Sequence, residues 1–155
     1  MNILLVYATN SGTTQAIAQI VSDALTQQGH TVTIKEAAHA APEDFASAQA
    51  VILGSPSWDF DGKEGQPHED FLPLMDKMKG QQVAKPFAIF GLGDTSYKYF
   101  CGAVDHLEEF VKTLQGNLLV PSLRIANYYT NLDQATQAVN TWITTLGEKI
   151  KQPTT

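Results

Sequence analysis

Ile3-Leu4-Leu5-Val6-Tyr7 runs directly into Ala8-Thr9-Asn10-Ser11-Gly12-Thr13-Thr14 near the start of this 155-residue chain. Ile17, Ile20, Val21, Ala24 and Leu25 follow at i, i+3, i+4, i+7 and i+8, the spacing of one helix face. An unbroken apolar run over residues 2–8, a hydroxyl-rich turn and an amphipathic pattern thus succeed one another as strand, loop and helix. The first turn of a helix leaves backbone N–H groups unpaired and carries partial positive charge, so an anion placed there is held by those groups and by neighbouring hydroxyls. Four of the six residues after Ala8 are Ser or Thr, and Gly12 lets the backbone approach an anion closely. No Lys follows Gly12, so the turn is not the Lys-bearing loop of nucleoside-triphosphate enzymes. Its neutral donors suit one terminal phosphate better than a triphosphate with magnesium. Read alone, the same residues serve equally well as helix caps.

The alternation continues along the chain. Gly29 stops the first helix, and Thr31-Val32-Thr33-Ile34-Lys35 alternates polar and apolar as a half-exposed strand does. Ala50-Val51-Ile52-Leu53-Gly54 is fully apolar. Phe71, Leu74, Met75 and Met78 form a helix face ending at Gly80, and Phe87-Ala88-Ile89-Phe90-Gly91 is again fully apolar. Val104, Leu107, Val111 and Leu114 predict a helix stopped by Gly116. Residues 118–125 predict a strand interrupted by Pro121, and Ala135, Val139, Trp142, Ile143, Leu146 and Ile150 a last helix. The connection around residues 38–48 is weak and is expected to hold only a short turn of helix.

Five strands, each followed by a helical segment, predict an α/β fold with a parallel sheet and helices on both faces. The first, third and fourth strands are apolar on both faces and belong at the centre. The second alternates and belongs at an edge; the fifth carries Pro121, which cannot donate to a ladder, and belongs at the other edge. Of the known doubly wound orders, 2-1-3-4-5 satisfies all five observations and places a ligand between the first and third strands.

Composition bounds the function. Hydrophobic residues at 43% and charged residues at 17% mark a globular chain, and its length allows one domain, residues 1–155. The net charge of −6 makes it a poor nucleic-acid binder and repels anionic membranes, while attracting a basic patch on a partner protein. Cys101 is alone and cannot form an internal disulfide, which fits a reducing, cytoplasmic setting. No signal-peptide pattern opens the chain, and no apolar run reaches about 18 residues.

In the order 2-1-3-4-5 the loops after strands one, three and four lie side by side. The second is Gly54-Ser55-Pro56-Ser57-Trp58-Asp59-Phe60-Asp61-Gly62-Lys63-Glu64-Gly65. The third is Gly91-Leu92-Gly93-Asp94-Thr95-Ser96-Tyr97-Lys98-Tyr99-Phe100-Cys101. Each sets an aromatic residue in a Gly-rich loop. A flat ligand stacked between Trp58 and Tyr97 would account for both, at about 0.5–1.5 kcal/mol per face beyond the area buried. Taken singly, Trp58 folding back over its loop and Tyr97 resting on the next helix explain them as well. Together with a phosphate cradle they describe a mononucleotide site.

Here the residues resemble the flavodoxin family. Thr9-Asn10-Ser11-Gly12-Thr13-Thr14 matches that family's phosphate loop, Ser/Thr-x-Ser/Thr-Gly-x-Thr. The Trp58-Asp59 loop and the acidic stretch after it look like its second loop, and the run from Gly93 to Asp105 closely resembles its third loop and the helix that follows. The resemblance covers essentially the whole chain. No long insertion enters the fifth strand, as in short-chain members. The strand order above is one for which flavodoxins are a standard example, so it is a choice among known options. The resemblance implies a flavodoxin-like fold and non-covalently bound FMN. Thr9, Asn10, Ser11, Gly12, Thr13 and Thr14 would hold the phosphate, and Trp58 and Tyr97 would sandwich the ring. Backbone groups at Ser57, Asp59, Gly93, Asp94 and Cys101 would lie near its polar edges, with Ser55, Pro56, Gly91, Tyr99 and Phe100 completing the cofactor-binding set. No catalytic residue and no metal ligand are implied. The protein would carry electrons between redox partners with a basic docking surface, of the flavodoxin or ferredoxin reductase type, as a monomer.

Charge adds an expectation of its own. From Glu36 to Asp76 there are nine acidic residues and one basic one, Lys63. Adding negative charge to a flavin beside those carboxylates is costly, and more so at low effective dielectric, so a low potential is expected for the second electron. The bland alternative is a solvated acidic face. Asp59 stands where many family members have Gly, at a peptide that can flip to accept a hydrogen bond from the half-reduced ring. Asp tolerates positive φ less well than Gly, which predicts a less stabilised one-electron-reduced state.

Other residues invite less. Cys101 opens a helix but has no base near it in sequence, and is read as packing rather than as a nucleophile. His30, His39, His68 and His106 lack ligand spacing and are expected at the surface. Asp105, Glu108 and Glu109 read as a solvated helix face; Tyr128 and Tyr129 sit after the last strand, where they could line the site's edge or a partner surface but need do neither. Gly91-Leu92-Gly93 fails the dinucleotide fingerprint because Ser96 takes the last glycine's place. Among competing functions, an FMN-dependent NAD(P)H:quinone reductase on the same fold would need a nicotinamide site, for which no added segment exists. A phosphorelay receiver would need carboxylates where Thr9-Asn10 and Gly54-Ser55 stand. An FMN domain of a larger reductase is disfavoured by the Met1 start and the short polar tail Lys151–Thr155.

Overall fold

The computed structural model describes residues 1–9, 12–60, 63–93, 101–126 and 132–151, with main chain alone for 58–60, 63–66 and 151. In chain order the elements are β1 (Asn2–Tyr7), α1 (Thr13–Gln27), β2 (Thr31–Glu36), a 3-10 turn (Ala37–His39), α2 (Pro42–Ser47) and β3 (Ala50–Pro56). There follow β4 (Trp58–Phe60), β5 (Lys63–Gln66), α3 (Phe71–Lys77), β6 (Pro86–Gly93), α4 (Gly102–Thr113), β7 (Asn117–Leu118), β8 (Leu123–Ala126) and α5 (Leu132–Lys151).

Strand side chains alternate, so each central strand feeds two cores. Leu4, Val6, Val51, Leu53, Phe87 and Ile89 face α3 and α4 through Phe71, Leu74, Val104, Leu107 and Val111. Ile3, Leu5, Ile52, Ala88 and Phe90 face α1 and α5 through Ile17, Val21, Leu25, Val139, Trp142 and Leu146. The main sheet is parallel in the order β2-β1-β3-β6, with β7 and β8 both paired to the outer side of β6. Counting β7 and β8 as halves of one strand, this is the expected 2-1-3-4-5. The halves are separated where Pro121 predicted a break. Between its paired residues β6 has two, Ala88 and Ile89, and the fifth strand has four, Leu119 to Ser122. The Trp142 indole N–H donates to the Pro121 carbonyl at 3.0 Å and pins this bulge to α5.

Two loops are shorter than the sequence suggested. Ser55 and Pro56 pair with Gly91 and Leu92, so the β3–β6 ladder runs two residues beyond the apolar run of β3 and one beyond that of β6. The pairing partner, not hydrophobicity, ends a central strand. The remainder of the second loop contains an antiparallel pair, β4–β5, with Phe60 opposite Lys63. The residues between them, Asp61-Gly62, carry the dipeptide most typical of a two-residue hairpin, a cue the loop reading passed over. The weak 38–48 connection is the 3-10 turn and the six-residue α2.

Candidate functional site

The register brings three strand ends together. Tyr7 pairs with Gly54, and Ser55 with Gly91, so the chain leaves β1, β3 and β6 along one edge of the sheet. At the first exit Gly12 adopts φ +91° and opens α1 with no side-chain cap on the helix and no carboxylate in its first turn. Thr13 and Thr14 are buried. The Gly12 N–H donates to the Thr9 hydroxyl at 2.9 Å, a bond to the N-cap residue itself rather than a side-chain cap on the first helical turn. That hydroxyl retains its own O–H to donate. Asn10 and Ser11 lie outside the described residues.

At the second exit Ser55 is fully buried. Its hydroxyl donates to the Pro56 carbonyl at 2.8 Å and accepts the His68 N–H at 2.9 Å. Its side chain is engaged inside the protein, where it joins the end of β3 to the approach of α3. Ser57 sends its N–H to the Leu92 carbonyl at 2.7 Å, and its hydroxyl accepts the Ala103 N–H at 3.1 Å. The main chain of Trp58 and Asp59 continues into β4, and β5 runs beside α4.

At the third exit β6 ends on Gly93. A side chain there would meet the Cys101 nitrogen at 2.8 Å, so the two ends of segment 94–100 touch at Gly93 and Cys101. Asp94, Tyr97, Tyr99 and Phe100 lie outside the described residues. Gly91 is buried, and a side chain on it would meet Val104 at 2.4 Å; its lack of one seats α4 on the sheet. Cys101 takes φ +52° at the start of α4, with its sulfur 3.7 Å from the Gly91 and Ile125 carbonyls. Burial is the main cause that pushes its thiol up to about 12, against a smaller opposing pull from Arg124. A neutral thiol of that kind is packing, as expected.

Three expectations need correction. His68 is buried rather than at the surface: its ring accepts the Asp70 N–H at Nδ1, 3.1 Å away, because the Ser55 bond draws its backbone under the loop. His30 is half-buried, while His39 and His106 are exposed. Asp105 and Glu108 are not merely solvated. The Arg124 guanidinium donates to Asp105 at 2.7 Å and lies 3.9 Å from Glu108, whose other oxygen accepts the Ser122 hydroxyl at 2.7 Å. Arg124 also donates to the Cys101 carbonyl at 3.1 Å. Sequence reasoning missed this residue, although it is the only arginine in the chain. Tyr128 and Tyr129 lie outside the described residues.

The Flavodoxin family model matches residues 5–148, nearly the whole chain. The chain belongs to the flavodoxin family. Among relatives of this flavodoxin, a probable flavodoxin 2 of Bacillus subtilis (strain 168) is 38% identical over 127 residues, 81% of this chain and 82% of that one. A flavodoxin of Nitratidesulfovibrio vulgaris (strain Miyazaki F) is 35% identical over 126 residues, 80% of this chain and 84% of that one. The crystal structure of oxidised flavodoxin 2 from Bacillus cereus superposes with a TM-score of 0.83 at 30% identity, covering 96% of this chain and 99% of that one. Flavodoxins bind FMN and are electron carriers rather than enzymes. The length of 155 residues is that of a short-chain flavodoxin. Among the described residues of this flavodoxin no helix is long and apolar enough to cross a membrane.

Proposed function

We propose that this flavodoxin is a low-potential carrier that passes electrons between redox proteins, holding FMN at the edge where β1, β3 and β6 end. The observation that carries the reading is the start of α1. A helix N-terminus opened by a glycine at φ +91°, without an acidic first turn and with two buried threonines, fits a phosphate monoester. Thr9 to Thr14 are assigned to that phosphate, and Trp58 and Tyr97 to the two ring faces. The backbone around Ser57, Asp59, Gly93, Asp94 and Cys101 is assigned to the ring's polar rim, with Pro56, Tyr99 and Phe100 at its margins. Ser55 and Gly91 support this rim from beneath, since the one hydroxyl is spent internally and the other residue makes room for Val104. FMN would supply the one- and two-electron chemistry; the chain supplies the anion site, the stacking faces and the acidic surroundings.

The nine carboxylates between Glu36 and Asp76 support a low potential and a partner with a basic docking face. We assign the chain to one domain, residues 1–155, working as a cytoplasmic monomer.

Stepwise anaerobic reduction followed by visible spectroscopy tests the reading. A yellow protein that is reduced in two resolved steps by a partner or by dithionite supports it. Bleaching by NADPH alone would point instead to a reductase enzyme. A protein that fails to take up FMN would overturn the site. In the same titration Asp59→Gly is expected to raise the maximal fraction of the one-electron-reduced state above wild type; an unchanged fraction would remove Asp59 from the account.

A further inference from the structure

α3 and α4 pack on the same core, and their outer sides leave a cleft of about 350 Å³ between them. That volume lies within the range of ligand clefts. Leu72 and Met75 of α3, Met78 just after it and Phe110 of α4 supply its apolar lining. Leu72 is 40% exposed and Met75 half-buried, so apolar surface continues from the core out to solvent. Two of the chain's three methionines stand here. Methionine is flexible and polarizable, and a surface built from it adapts to the side chains laid against it.

The lining residues set the shape of an occupant. On α4 they run from His106 through Phe110 to Thr113, two turns of helix or about 10 Å. Apolar anchors at i, i+3 or i+4 and i+7 of a second helix span the same length. The rim sets the sign of its charge. Lys79 lies 3.0 Å from Asp76, so its charge is matched. Lys77 and Lys112, on the same two helices, do not line the cleft. Glu109 does line it, is exposed, and has no ion pair among the described residues. An apolar floor thus meets one uncompensated carboxylate, which complements a cation placed beside an apolar anchor.

We propose that this cleft is a docking groove for an amphipathic helix of a partner protein. The helix seats apolar residues on Leu72 and Met75 and sets a Lys or Arg against Glu109. The α4 side of the groove starts at the second turn of that helix, back from the edge where the strands end, so this surface is separate from the one assigned to FMN. The inference goes beyond the electron-carrier reading and does not depend on the cofactor.

The test labels the full chain at its methionine methyl carbons and follows them by NMR. The probe is a synthetic peptide with Leu on one helical face and Lys on the rest. The Met75 signal is expected to shift saturably, while that of Met1, 44% exposed and outside the cleft, stays still. The same composition in scrambled order, or Glu in place of Lys, is expected to bind at least about tenfold more weakly. Leu72→Ser is expected to weaken binding about tenfold, and Leu72→Met, which keeps the anchor apolar, to hold it within about twofold. Glu109→Gln is expected to weaken it about twofold to fivefold. Glu148→Gln, an exposed carboxylate of α5 outside the cleft, should leave it unchanged. These side chains are exposed, so the variants keep the wild-type urea midpoint. Equal binding of the scrambled peptide, or equal losses in Glu109→Gln and Glu148→Gln, would reduce the effect to general attraction by an acidic protein and overturn the proposal. A Met75 shift that grows with protein concentration alone would place a second copy in the groove and overturn it too. None of these readings involves FMN, so failure here leaves the carrier reading standing.

Discussion

Two side chains show how local chemistry is decided by what lies opposite them. Asp44 accepts the Ala41 N–H at 2.9 Å at the start of α2 and receives the Lys35 ammonium at 2.7 Å. The Lys35 hydrogen bond is the main cause that holds its carboxyl below the ordinary value of 3.8, and burial opposes it. A carboxyl whose pKa is depressed on folding stabilises above its unfolded pKa and loses that contribution as pH falls through the native one. Asp44→Asn is therefore expected to cost about 1 kcal/mol at pH 7 in urea unfolding, a typical value for a cap and a partly exposed pair. The difference from wild type should begin to shrink as the pH drops below about 3.8 and be lost only below the native pKa, which lies lower. Cys101 is the opposite case. Its native pKa of about 12 lies above the ordinary 9.0, so its burial stabilises fully below pH 9 and is lost as pH rises from there toward 12. At pH 8 the native thiol should react with an aromatic disulfide reagent at least about a hundredfold more slowly than in denaturant, since both thiolate fraction and access fall. Rapid labelling of the native protein would contradict its packing role.

At the scale of elements, the central strands are held by fit as much as by hydrogen bonds. A side chain on Gly54 of β3 would lie 2.1–2.6 Å from the Phe90 ring of β6. Phe90 is fully buried and meets Trp142 of α5 edge-on, with centroids 6.1 Å apart at 66°. Trp142 in turn pins the fifth-strand bulge. The ring has nowhere to go, so Gly54→Ala is expected to destabilise by about 3 kcal/mol, at the upper end of overpacking costs. Urea unfolding measures this, and Phe90→Leu in the same background should recover part of the loss. Recovery would place the cost in the ring contact rather than in the glycine's backbone. The short crossover after β2 is secured differently. Lys85, just before β6, donates to three carbonyls at the end of α2, offsetting the negative end of a helix too short to be stable alone.

At the scale of the molecule, charge is distributed more tellingly than it is balanced. The net charge is −6, and nine carboxylates precede α3's end from Glu36 onward. The lone arginine is spent on α4 and on Cys101. A field of one sign steers an oppositely charged partner, and the effect is screened within about 8–10 Å at ordinary salt. The second-order rate of reduction by a basic reductase domain is expected to fall about tenfold or more between roughly 10 mM and 300 mM salt. A rate that rises or stays flat with salt would exclude docking through the acidic face.

Periodicity marked the five strands and the two-sided core, and together with Pro121 it selected their order from among the known doubly wound topologies. The alternation of Ile3, Leu5 and Tyr7 against Leu4 and Val6 is written into neighbouring residues, and a strand can satisfy it in only one way. The runs proposed for the phosphate and the ring stand out in the sequence because they are contiguous stretches of hydroxyl, glycine and aromatic residues. Contacts between segments far apart in the chain were not legible. The Ser57–Ala103 bond, the Arg124 hold on Cys101 and the burial of His68 under Ser55 each join residues that no local pattern relates. The length of β3 and β6 belongs with them, because a ladder continues for as long as its neighbour offers partners, whatever the side chains. Local sequence fixes which groups a segment offers, and only the packed sheet decides which of those groups meet.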